Sequence, residues 1–113
     1  GRRRYFPDIN SSMPMLRAAA ERMAINMPVQ GTAADLMKLA MIDLYRDLPK
    51  VSKSSKIVLQ VHDELVLEVP KKDLRKVAKF VKKAMESVYK LPIPLTVDIE
   101  TGNNWGKLES YKI

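Results

Sequence analysis

The sequence predicts an α+β fold built as one structural unit, and three observations carry that reading. The length of 113 residues, 46% of them hydrophobic, suits one small domain with one modest core. Two apolar runs, Ile57–Val61 and Leu65–Val69, lie three residues apart and form an antiparallel hairpin at the centre of the chain. On either side the apolar residues recur three and four apart, and a last stretch returns to alternation. The predicted order is helix, helix, hairpin, helix, strand.

The opening segment, "GRRRYFPDI", carries Arg2, Arg3 and Arg4, then Tyr5 and Phe6, and turns at Pro7-Asp8. Ser11 or Ser12 is the expected N-cap of the first helix. Pro14 fits its first turn, where the missing N–H would have had no partner. Leu16, Ala19, Ala20, Met23 and Met27 follow at helical spacing. Pro28 and Gly31 interrupt that pattern. Thr32 restarts a second helix with Leu36, Leu39, Ala40 and Leu44 on one face, ending before Pro49. Met13, Met15, Met23, Met27, Met37 and Met41 are read as core filler.

Ser52–Ser55 reads as a polar loop. In the hairpin that follows, Ile57, Leu59 and Val61 share one parity on the first strand, and Leu65, Leu67 and Val69 share a parity on the second. Opposed residues lie on one face, so these sets meet only across an odd-numbered turn. A His62-Asp63-Glu64 tip would pair Val61 with Leu65, Leu59 with Leu67, and Ile57 with Val69. Pro70 ends the second strand. A helix then places Leu74, Val77, Ala78, Val81, Ala84, Met85 and Val88 on one stripe, with its lysines solvated on the other faces. Finally Ile93, Leu95, Val97 and Ile99 alternate with Pro94, Thr96, Asp98 and Glu100, a half-buried strand starting near a sheet edge.

The formal net charge of +7 favours a polyanionic partner such as nucleic acid, although a soluble domain with a basic surface fits it too. The absence of cysteine excludes a disulfide framework and thiolate metal sites and fits a reducing cytosol. No apolar run is long enough to span a bilayer, and no membrane partner is expected. The hairpin tip lacks the glycine or Asn-Gly that such turns prefer. Asp63 and Glu64 there have two readings: charged decoration of a solvated turn, or a site for a hard cation. Two adjacent carboxylates on a stiff support suit Mg²⁺, which leaves its other positions to water and phosphate. One histidine and no cysteine cannot make a structural zinc site.

"LQVHDELVLEVP" resembles motif C of the family A DNA polymerases, the bacterial DNA polymerase I type. "RAAAERMAINMPVQGTAADLMKLAM" resembles the segment that precedes this motif in the family, and "GRRRYFPDI" resembles the one before that. "PLTVDIETGNNW" is similar to the strand and Asn-Trp that close the family's palm domain. The resemblance runs collinearly from Gly1 to Trp105.

That resemblance implies the roles. Asp63 matches the motif C metal-binding aspartate, Glu64 the acidic residue beside it, and His62 the histidine near the primer terminus. Arg22, Asn26 and Gln30 match residues directed at the minor groove of the primer–template, and Arg2, Arg3 and Arg4 match a basic stretch close to the DNA backbone. The spacing of four would put Arg22, Asn26 and Gln30 on one helical face if Pro28 only bends the chain. Their donors suit the minor-groove acceptors that all base pairs present, which tests pair shape without reading sequence.

The implied activity is template-directed nucleotidyl transfer by a DNA-directed DNA polymerase, with primer–template DNA and dNTP as partners in a bacterial-type cytoplasm. Two-metal transfer needs carboxylates from more than one strand. In family order the second aspartate and the nucleotide-holding fingers helix come before Gly1. The chain is thus expected to be the C-terminal part of a palm that works with the remaining palm and fingers segments. Alone it is expected to be inactive and to cover an open apolar edge by self-association. The alternative is a basic module that binds nucleic acid without chemistry, and dependence on a divalent ion separates the two.

Overall fold

The computed structural model describes residues 1–113. It is α+β, with two α-helices and two separate two-stranded antiparallel sheets. Helix α1 spans Pro14–Val51, β1 Lys56–Val61, β2 Glu64–Glu68, α2 Leu74–Glu86, β3 Glu100–Asn104 and β4 Lys107–Ser110. Two compact units divide the chain, Gly1–Ala33 and Ala34–Ile113.

In the first unit, Pro7–Asn10 form a short 3-10 helix. The N-cap expectation is corrected: Met13 directly precedes α1, and Ser11 instead accepts the Met13 N–H at 3.1 Å. Pro14 does open the helix. The interruption expected at Pro28 and Gly31 does not occur, and α1 also continues through Pro49. A proline removes one helical N–H donor and crowds the carbonyl four residues back. The Pro28 carbonyl is itself taken by the Thr32 hydroxyl at 2.7 Å. Ala20 is buried, but Met13, Met15 and Met23 are exposed, so these methionines are not core filler.

The core of the second unit joins Leu44 and Leu48 of α1 to Val77 and Val81 of α2. Ile57, Leu65 and Leu67 of the hairpin pack against it, as do Val69, Phe80, Ala84 and Met85. The predicted stripe of α2 is therefore observed, although Val88 lies beyond its end. Leu39, expected on the buried face with Leu44, is exposed.

Ser52 and Ser55, read from the sequence as loop, are buried. The Ser55 hydroxyl donates to Ser52 at 2.8 Å, and Ser52 donates to Asp73 Oδ2 at 2.7 Å. Lys76 closes the chain on Asp73 Oδ1 at 2.8 Å. Hydrogen bonds from Lys76 and then Ser52 hold the Asp73 carboxyl below the usual carboxylate range. Buried hydroxyls are tolerated because each has a partner.

The last predicted strand is also corrected. Residues 94–99 keep their alternation, with Leu95, Val97 and Ile99 half-buried, but they pair with no strand. Side chains of α2 serve the backbone instead: Lys82 Nζ donates to the Val97 carbonyl at 2.6 Å, and the Val97 N–H donates to Glu86 Oε1 at 3.0 Å. Strand structure begins only at Glu100, where β3 pairs with β4, a hairpin the sequence reading left unassigned. A bulge interrupts this ladder between Thr101 and Asn104. Glycine is required within it, because a Cβ at Gly102 would collide with the Lys107 carbonyl.

Candidate cation and nucleic-acid sites

The hairpin β1–β2 presents its acidic residues differently from the parity argument. The turn holds two residues, His62 and Asp63, and Glu64 is already paired with Val61 as the first residue of β2. Gln60 then faces Leu65, and Leu59 faces Val66. A bulge between Ile57 and Leu59 restores Ile57 to Leu67. One extra residue on β1 thereby brings Ile57 back to the core face, while Val58 and Leu59 stay exposed.

His62 occupies the left-handed region at φ 50°, where a non-glycine residue is uncommon. Asp63 does not share the positive φ. Gln60 Nε2 donates to the His62 carbonyl at 2.7 Å and ties the turn to the strand that enters it. In the sequence the one signal of Gln60 is an amide inside an otherwise apolar strand. Asp63 and Glu64 are exposed. No group of three or more histidine or acidic side chains is arranged so that it could hold a metal ion by itself. The donor set of this tip is thus two adjacent carboxylates, which fits a hard cation that takes its remaining ligands from elsewhere.

In the first unit the uninterrupted helix sets Arg22, Asn26 and Gln30 one turn apart on one exposed face. The next residues around the helix, Met23, Met27 and Gly31, form a parallel row. The N-terminal arm lies along that second row in the opposite direction. Arg2 meets the bare surface of Gly31, where an added Cβ would sit 3.5 Å from both Arg2 Cδ and Met27 Cε. Arg4 reaches Met27 Sδ with Nη1 at 3.3 Å and Met23 Sδ with Nη2 at 3.9 Å. Its Cζ also lies 5.2 Å from the centroid of the Phe6 ring. Arg3 is exposed. The arm therefore lies on the row that neighbours the polar one.

The sequence model of DNA polymerase family A matches residues 1–107. The chain belongs to DNA polymerase family A. This family A chain is 54% identical over 105 residues to the thermostable DNA polymerase I of Thermus aquaticus, covering 93% of the chain. It is 47% identical over 107 residues to the DNA polymerase I of Borreliella burgdorferi. The chain spans about 12% of the length of these relatives. Among solved structures it resembles the POL domain of Pol1 from M. smegmatis, in complex with DNA primer-template and dNTP. The TM-score is 0.73 at 44% identity, over 84% of this chain and 17% of that one. No helix of the family A chain is long and apolar enough to cross a membrane.

Proposed function

We propose that this chain is the C-terminal part of the palm of a DNA-directed DNA polymerase, contributing a cation-binding carboxylate and a grip on the primer–template. The observation that carries the reading is the hairpin tip, where Asp63 in a turn fastened by Gln60 and Glu64 at the start of β2 both stand exposed. Membership of family A and the likeness to a polymerase domain holding primer–template and dNTP support it.

Asp63 would be the principal ligand of Mg²⁺, with Glu64 beside it. When bound, the cation supplies charge compensation for the reacting phosphate oxygens. The part played by the chain itself is positional. A two-residue turn on a core-anchored hairpin limits how far the Asp63 carboxylate can wander, and preorganised charge acts without reorganisation cost during reaction. His62, in the same turn, would lie near the primer end. Arg22, Asn26 and Gln30 would donate to minor-groove acceptors, and the arm of Arg2, Arg3 and Arg4 would lie by the backbone. The remaining palm and fingers segments would complete the clamp and hold the dNTP.

The test is Asp63→Asn in the full-length polymerase. Primer extension should fall by at least about a hundredfold, the scale of losing one preorganised electrostatic contact. Primer–template affinity should stay within about threefold of wild type, because few phosphate contacts change. Wild-type extension rates in this variant would remove Asp63 from the site.

A further inference from the structure

The arm residue Arg4 stands apart from its neighbours. Three separate groups converge on its guanidinium: the sulfur of Met27, the sulfur of Met23, and the face of Phe6. Each contact alone is weak, since thioether sulfur is a poor acceptor. Together they suit a planar, weakly hydrated cation with several donors in a fixed fork, and they do not suit a lysine ammonium. A bidentate phosphate contact through the two terminal nitrogens would compete with the sulfurs towards which Arg4 turns them.

We infer that Arg4 is a positioning residue that fastens the N-terminal arm to α1 through Met23, Met27 and Phe6, setting Arg2 and Arg3 beside the Arg22–Asn26–Gln30 row. The inference rests on the proposed DNA-gripping role of that surface. It assigns Met23 and Met27 a purpose that burial does not, because Met23 is exposed and Met27 only half-buried. Methionine is unbranched and flexible, which lets two residues one turn apart aim their sulfurs at one group. The arm then behaves as part of the helix surface, and its arginines are ordered before DNA arrives. Preorganisation of this kind lowers the ordering cost of binding.

The experiment compares Arg4→Lys, Arg4→Gln, the pair Met23→Leu with Met27→Leu, and their combinations in the full-length polymerase. Primer–template affinity is measured across a salt series. The methionine pair removes no charge, yet it should weaken binding about tenfold and flatten the salt dependence, because misplaced Arg2 and Arg3 lose phosphate contacts. Arg4→Lys should do the same although its charge is kept, and adding it to the methionine pair should change nothing further. A simply structural role would instead lower the melting temperature and leave the salt slope alone. If the methionine pair binds as wild type while Arg4→Gln lowers the slope by about one, Arg4 is itself a phosphate contact and the inference is overturned.

A second readout needs no DNA. In protein carrying ¹³C-methyl methionine, the Met23 and Met27 methyl resonances should move in Arg4→Lys and in Phe6→Leu. Unmoved resonances would overturn the anchor by themselves. If Arg2→Gln, Arg3→Gln and Arg22→Ala all bind DNA as wild type, the DNA-gripping reading fails, and the methyl resonances still decide whether Arg4 holds the arm.

Discussion

The side-chain amide of Gln60 donates to the backbone carbonyl of His62 at 2.7 Å, tying the turn that presents Asp63 to the strand that enters it. A hydrogen bond of this kind contributes about 1 kcal/mol net, enough to bias the turn by roughly fivefold. Gln60→Leu should accordingly lower the turnover of the full-length polymerase by about fivefold while leaving primer–template affinity unchanged. Glu64→Ala should cost less than Asp63→Ala, because Glu64 is held in the β2 ladder opposite Val61 whereas Asp63 stands in the turn itself. Single-turnover extension rates at saturating DNA rank the three variants. Equal losses at Asp63 and Glu64 would contradict this division of labour.

The polar row on α1 should act in discrimination. Arg22→Ala, Asn26→Ala and Gln30→Ala should each change the ratio of extension from matched and mismatched primer ends. A minor-groove hydrogen bond is made only when pair geometry puts the acceptor in place. Paired extension assays measure the ratio directly. Three variants that handled both ends like wild type would mark the row as solvated surface.

The Ser55–Ser52–Asp73–Lys76 chain should make stability depend on acid. The Asp73 carboxyl is held below its ordinary range by hydrogen bonds from Lys76 and Ser52, so its folded pKa lies under the unfolded one. Its contribution is complete above the ordinary carboxylate range and disappears as pH falls through the depressed value. Asp73→Asn should flatten the acid limb of a stability profile, measured by urea unfolding between neutral and strongly acid pH. Ser52→Ala should cost about 2 kcal/mol at neutral pH, since it strands the buried Ser55 hydroxyl.

The 113-residue chain by itself should extend no primer at any Mg²⁺ concentration. One adjacent carboxylate pair without other ligands should hold the ion only weakly. Its DNA binding should be weak and should fall steeply with salt. Each of its two sheets has only two strands, and Val58 and Leu59 of β1 are exposed, so light scattering should detect self-association. Templated incorporation by the purified chain, or a strictly monomeric state, would each contradict this expectation.

Local pattern, together with the resemblance of four motifs to a known family, was enough to specify several features. The alternation around His62-Asp63-Glu64 located a hairpin, and the three-and-four spacing from Leu74 located the core stripe of α2. The spacing of Arg22, Asn26 and Gln30 made them candidates for one face, and four collinear motifs indicated the polymerase family. These features are encoded by neighbours along the chain, which a reader of sequence sees directly.

Tertiary structure decided the rest, because each remaining question turns on a partner distant in sequence. Register parity assumes an unbroken pleat, and the bulge near Val58 shifts that parity by one, which shortens the turn to His62-Asp63. Proline penalises a helix without forbidding it, so the continuity of α1 through Pro28 and Pro49 follows from the balance along the whole helix. Residues 94–99 alternate as a strand does, but a strand exists only where another supplies its hydrogen bonds. Here Lys82 and Glu86 of α2 supply them at Val97. The placement of Arg4 on Met23 and Met27 belongs to the same class, since nothing in "GRRRYF" says which side chains it will meet.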